Sequence, residues 1–542
     1  MLLALLPLLE GCTSPSSESG VADPAFTVKL APVVPFNEAP FADLDALDLV
    51  LDPDGAAPDR YTLDEVPASG GTTATPQLPP FTDTVVQVEG YTAGALVSLG
   101  RSAPLTGSEG VVDATVFVAQ VDAAAALGSL SPGLYRPMLA ALGDGRFLVA
   151  GGVTEASSGG ATTLTDGVFT VGILDLTTPE PDLAFVSTEE VDPWVDVTGG
   201  AHAERFGATL SPLTVGEDAG RFLVVGGAVA PGWSEPDTIT ADVRIYNPEA
   251  GIWESPGAAA SLDRARVEHV AVAAEDGAIV VAGGWSNDGT GLSPGRGVEI
   301  YDPAVRGFGA PLEDDALGQL DLAGTTVPEE GVLLCGGAVV SLTTDAKAGP
   351  VGTWSATQHC ALVGADHQLA TERIPELPAQ LAGAAMFGLP DGRVLLTGGA
   401  TPSGATDLTT GVPARNNAWI LSWPSSWSQL SRMNLARAGH VMTLLPDGRV
   451  LIAGGASSYQ LTGIPEGALA CMEIFDPSDN SFSLTGDCAP DGSTGVMSAP
   501  AWRPSVATDP RYGPLFVGGA NAGASGEAAS AQVTLYYPEP AP

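Results

Sequence analysis

Lysine is almost missing from this 542-residue chain. Only Lys29 and Lys347 occur, and 21 basic residues face 64 acidic ones, for a formal net charge of −43. A surface of that sign repels a polyanion, so nucleic acid is excluded as a partner. The acids are spread along the chain, which reads as a solvated, self-repelling exterior. Cysteine is scarce too, with five residues and no C-x-x-C or Cys/His cluster to suggest zinc. There is no P-loop, no G-x-S-x-G and no H-E-x-x-H. The acidic stretches at 51–59, 286–291 and 476–481 lack the spacing and terminal Glu of an EF-hand loop, so they read as turns. Adjacent acids such as Glu189-Glu190 and Asp314-Asp315 read as solvated.

Glycine and proline, by contrast, are plentiful (68 and 45 residues), as short strands joined by tight turns require, and an all-β chain is expected. Three segments share one design: DGRFLVAGG (Asp144 to Gly152), DGRVLLTGG (Asp391 to Gly399) and DGRVLIAGG (Asp447 to Gly455). The closing glycine pair recurs seven times, at Gly151-Gly152, Gly226-Gly227, Gly283-Gly284, Gly336-Gly337, Gly398-Gly399, Gly454-Gly455 and Gly518-Gly519. The intervals, about 53 to 75 residues, are those of an array in which each unit buries its faces against neighbours. A third strand follows each pair past a variable loop, as in VRIYNP, VEIYDP, MEIFDP and VTLYYP. A fourth carries an aromatic residue, as at Trp253, Phe308 and Phe482, which makes four strands per unit. The fourth copy lacks the Asp-Gly-Arg turn and the Tyr-Asp-Pro ending, and the fifth has AWILSW as its third strand.

On these motifs, residues 122–542 resemble a kelch-repeat β-propeller of about seven blades. Propellers close best when the last blade borrows a strand from the other end of the chain, and 111–121 (VVDATVFVAQV) is a candidate to lend it. Residues 22–121 alternate with period two and carry no glycine pairs, so a small, immunoglobulin-like β-sandwich is expected there. In residues 1–21, an apolar run from Leu2 to Leu9 leads to Cys12 and a Ser-rich stretch, resembling a bacterial lipoprotein signal and tether with Cys12 as the acylated residue. Glu10 and the lack of a preceding cation depart from that pattern, and an ordinary secretory signal is the rival. The layout resembles exported bacterial kelch-repeat lipoproteins, which implies the outer membrane or cell surface, or else a secreted or periplasmic protein. Cys335, Cys360, Cys471 and Cys488 are an even set, candidates for two disulfides in an oxidising compartment.

No constellation of catalytic residues stands out. The histidines are His202, His269, His359, His367 and His440. Galactose-oxidase-like copper enzymes of the kelch fold use a Tyr-His pair, a second His and a Tyr cross-linked to Cys, and no tyrosine here adjoins a histidine. His269 and His440 each follow an arginine, Arg266 and Arg437, by three residues, which marks them as repeat parts. Arg136, Arg205, Arg266, Arg437 and Arg503 open first strands; Arg146, Arg221, Arg393 and Arg449 open second ones. A cationic channel for carboxylated ligands is one reading, and bonding to carbonyls and carboxylates between blades is the one repetition favours. The expectation is a non-enzymatic binding, adhesion or scaffold module with no cofactor and no metal, holding a protein or glycan ligand through its loops and touching the membrane only by a lipid anchor. The alternative is a kelch-fold carbohydrate-active enzyme, either a galactose-oxidase-like oxidase or a sugar epimerase resembling sialic-acid mutarotases.

Overall fold

In the computed structural model the described residues lie between 26 and 538, with stretches such as 34–42, 64–72, 178–204, 229–237 and 344–350 left out. Cys12, Glu189-Glu190 and His202 lie outside the described residues. Those described form strands and turns with no α-helix, as an all-β chain should.

Seven antiparallel sheets each have one glycine pair at or just past the end of the second strand. Their first strands are Met138–Ala141, Thr209–Pro212, Val270–Ala273, Ala323–Val327, Ala382–Gly388, Val441–Leu444 and Ser505–Asp509. Each of these contacts the next, and the seventh contacts the first, so the sheets form a closed ring around an axis. The second strands are apolar because both faces are covered: Val450, Leu451, Ile452 and Ala453 are all fully buried. In the sixth sheet the Asp-Gly turn is held by Asp447, whose Oδ1 accepts from the Arg449 amide at 3.0 Å. The aromatic residue of the fourth strand meets its partner on the third. Tyr246 and Trp253 are 4.8 Å apart, Tyr301 and Phe308 5.4 Å, and Phe475 and Phe482 5.0 Å.

The glycine pairs join the sheets to one another. The amide of the second glycine donates to a carbonyl of the next sheet, from Gly152 to Arg205 and so on around to Gly519, which donates to Leu134. The first glycine lies at φ between +60° and +69° in all seven copies. A Cβ there would lie 2.2 to 2.7 Å from that same carbonyl oxygen in each, apart from further contacts. Only glycine can let the two backbones approach so closely in that conformation.

The strand that completes the seventh sheet is Ala123–Ser129, paired antiparallel with Gln532–Tyr537. The segment 111–121, the expected candidate for this role, instead lies in an N-terminal sheet as part of strand Gly110–Gln120. Eight register pairs with Phe26–Val33 hold it there in parallel. The hydrogen bonds of that N-terminal sheet link seven strands into one, without the two-sheet division expected of a sandwich. Its Leu99, Phe117 and Ala119 share a core with Tyr512, Leu535 and Tyr537 of the seventh sheet. The fourth and first sheets have three strands each among the described residues.

Cys335–Cys360 and Cys471–Cys488 are both disulfides, with Cα atoms 4.1 and 5.7 Å apart. The first bridges directly opposed residues of adjacent strands. No helix of the described residues is long and apolar enough to cross a membrane. The two disulfides fit an exported or extracellular protein.

Candidate functional site: a charged ring at the axis

At the axis, two residues before the first strand in six sheets and second in the strand of the fifth, stands a residue at positive φ. The seven are Arg136 (+52°), Gly207 (+60°), Glu268 (+59°), Asp321 (+50°), Gly383 (+64°), Gly439 (+59°) and Arg503 (+49°). The conformation turns the amide toward the neighbouring sheet, and Glu268, Gly383, Gly439 and Arg503 donate to the residue at the same position of the preceding sheet at 2.8 to 3.1 Å. Glycine meets this demand without strain, and three sheets use it. Four sheets instead use charged residues, each of which bears the cost of the left-handed region, about 1 kcal/mol or more.

The four side chains meet. Arg136 Nη1 lies 2.6 Å from Glu268 Oε1, Arg503 Nη1 lies 3.8 Å from Glu268 Oε2, and Arg503 Nη2 is bonded to Asp321 Oδ2. The Arg136–Glu268 contact is poorly aligned, so neither of those two atoms has a hydrogen-bond partner among the described residues. Tyr459 donates to Asp321 Oδ2 at 2.7 Å, and the Arg503 guanidinium sits 4.9 Å above the Trp502 ring. Burial works against the Arg503 cation. Asp321, Tyr135 and Glu268 outweigh it, so its pKa stands above the usual arginine value. Burial also pushes the Tyr135 hydroxyl up to about 12, and burial followed by Asp321 raises Tyr459 well above the ordinary tyrosine range.

Below the ring, toward the Asp-Gly turns, lies a cavity of about 300 Å³. Arg136, Asp321 and Arg503 form its floor, and Thr209, Ala384, Val441 and Ser505 belong to its walls. His269 and His440 line it as well. Their Nε2 atoms meet Thr209 Oγ1 at 2.9 Å and Thr397 Oγ1 at 2.8 Å, and their buried Nδ1 atoms have no partner among the described residues. Burial, and then nearby arginines, lowers His269 to about 3 and His440 well below its usual value, so both rings are neutral.

The arginines grouped by sequence therefore divide. Arg205, Arg266 and Arg437, two residues before the ring positions, are buried and, instead of bonding between blades as expected, are tied within their own sheets to Asp242, Glu299 and Glu473 at 2.9, 2.9 and 2.7 Å. Arg221, Arg393 and Arg449 serve turns, Arg449 also holding both oxygens of Asp122 at the start of the closing strand. Arg136 and Arg503 alone of the first-strand set occupy the ring. Glu268, Asp321 and Tyr459 escaped the sequence reading. Aligning the residue two positions before the first strands would have exposed the Arg/Gly/Glu/Asp alternation. Tyr459 sits in a loop of variable length and gives no such signal. His359 and His367 lie away from the axis, bonded to Asp314 at 2.9 Å and Asp276 at 2.7 Å.

No family model matches the chain, and no curated protein is similar to it. Among solved structures, one similar to it is described as a novel fungal alcohol oxidase with catalytic diversity among the AA5 family, in complex with copper. It is 15% identical, covers 75% of this chain and 74% of its own, and has a TM-score of 0.45. The expectation of a non-enzymatic chain stands against this comparison, in which the similar protein is described as an oxidase. No group of three or more His, Cys, Asp or Glu among those described could hold a metal. The two axial histidines turn their Nε2 atoms to threonines, and the four described cysteines are in disulfides.

Proposed function

We propose that the chain is a carbohydrate-active enzyme whose site is the axial pocket, and that it acts on a small acidic sugar by moving protons. The observation that carries this reading is the ring itself. Four sheets place charged side chains where the backbone favours glycine, and all four converge on one point. Strain of that kind, concentrated at a cavity, is a mark of function. Arg136 and Arg503 would grip a carboxylate, as guanidinium groups do with two parallel donors. Asp321, beside the cavity and fixed by Tyr459 and Arg503, is placed to take a hydroxyl proton, the elementary step of sugar ring opening and of epimerisation. The neutral histidines would shape the wall.

In this proposal the ring of seven sheets is a seven-bladed kelch-type propeller, supported by its seven glycine pairs and borrowed closing strand. Cys12 carries a lipid that anchors the exported protein. Fatty-acid labelling compared with Cys12→Ser tests the anchor, and equal label in both would refute it.

The function is tested by magnetisation-transfer NMR of anomer exchange and by calorimetric binding, using N-acetylneuraminate, galacturonate and galactose. Binding and accelerated exchange of the acidic sugars, weakened at least tenfold in Arg136→Gln, are expected, about 1.4 kcal/mol of transition-state stabilisation. Equal treatment of galactose, or peroxide release from it after copper loading, would overturn the reading in favour of an oxidase.

A further inference from the structure

On the glycine-pair side of the ring the axis is filled. Above the seven ring positions stand Tyr135, Phe206, Val267, Leu320, Ala382, Ala438 and Trp502, every one 2% exposed or less. Two aromatic side chains from elsewhere cap them. Trp354 comes from the strand Val351–Ala356, and Tyr459 from the strand Ser458–Tyr459, which pairs with Val412–Pro413. The rings of Trp354 and Tyr459 are 5.2 Å apart, and those of Tyr459 and Trp502 6.0 Å, each pair edge to face.

This cap is built into the ring. A Cβ on Gly383 would lie 2.7 Å from the Tyr459 ring, and one on Gly439 2.4 Å from the Trp502 ring. Two of the three ring glycines thus make the room in which the aromatics sit. On the opposite side, Thr209, Ala384, Val441 and Ser505 are partly exposed around the cavity.

We infer that the axial pocket is single-ended. Ligand reaches the ring only from the Asp-Gly-turn end, so the site admits a free acidic sugar or an exposed chain terminus and excludes the interior of a polymer. This rests on the axial pocket being the functional site. It assigns selectivity to the width of the first-strand channel, with Ser505, Val441 and Thr209 as its walls, and not to the loops between repeats. A dead-ended cavity of about 300 Å³ holds one sugar-sized group.

The experiment uses Ser505→Cys in the full chain carrying Cys12→Ser, so that the introduced thiol is the only one outside a disulfide. The probe is the anionic reagent sulfonatoethyl methanethiosulfonate. Labelling of the folded protein is expected, with a rate changed by less than about tenfold (about 1.4 kcal/mol) when Tyr459→Ala is added. A thiol silent until the protein is denatured, or until Tyr459 is removed, would overturn the inference; the first comparison decides even if Tyr459→Ala fails to fold. Galacturonate should slow labelling, while long polygalacturonate should do so only in proportion to its chain ends. Protection by polymer interiors would refute single-ended access. A thiol that labels as expected but is protected by no acidic sugar would leave the access route standing and remove the proposed function.

Discussion

At Gly398 the backbone runs at φ +64° and a Cβ would lie 2.2 Å from the Arg437 carbonyl oxygen, whereas at Gly392, φ +82°, nothing lies within 4 Å. Alanine at Gly392 therefore incurs only the left-handed conformation, about 1 to 2 kcal/mol, while alanine at Gly398 adds a backbone collision and should cost about 3 kcal/mol or more in denaturant unfolding. His269 and His440 give a second test at this scale. Both have folded pKa values below the ordinary 6.5, His269 at about 3. Between those values the unfolded chain takes up protons that the folded rings refuse, so stability present above pH 6.5 is lost as pH falls. In melting curves from pH 7 to 4, His269→Gln should lose less stability than the parent over the same range.

Within single sheets, two devices tie the third strand to the first or second near the axis. The third and sixth sheets use a fully buried ion pair, Arg266–Glu299 and Arg437–Glu473. In the fourth, Gln319 and Ala361 stand at the corresponding positions, and the Cys335–Cys360 disulfide lies beside them. Arg437→Met should cost about 3 to 5 kcal/mol, because Glu473 is left charged and buried. Combining it with Glu473→Leu should recover most of that loss, as read by a double-mutant cycle. Replacing Cys335 and Cys360 together by alanine should cost about 3 kcal/mol, the amount expected of a loop this size.

The whole molecule is closed by a strand that precedes the ring in sequence, and the N-terminal sheet shares its core with the seventh sheet through Phe117, Tyr512 and Tyr537. Phe117 is fully buried, with its ring 6.5 Å from Tyr512 and 5.9 Å from Tyr537. Phe117→Ala should therefore cost about 3 to 5 kcal/mol and lower the melting of the ring as well as of the N-terminal sheet, visible as one shifted calorimetric transition. Independent transitions would show that the two parts do not share a core.

Short apolar strands, Asp-Gly and Asp-Pro turns and seven glycine pairs were by themselves enough to determine an all-β repeat with its cysteines in pairs, because turn chemistry and backbone approach are local demands that leave local marks. The glycines at the axis were missed for a related reason: their positions alternate with Arg, Glu and Asp, so no repeated letter marks the ring. Only the tertiary structure decided that Arg136 and Arg503 differ from Arg205, Arg266 and Arg437, that Ala123–Ser129 and not 111–121 closes the ring, and that Tyr459 caps the axis. Each depends on which residues meet across sheets more than a hundred positions apart, and neither spacing nor composition carries that distance.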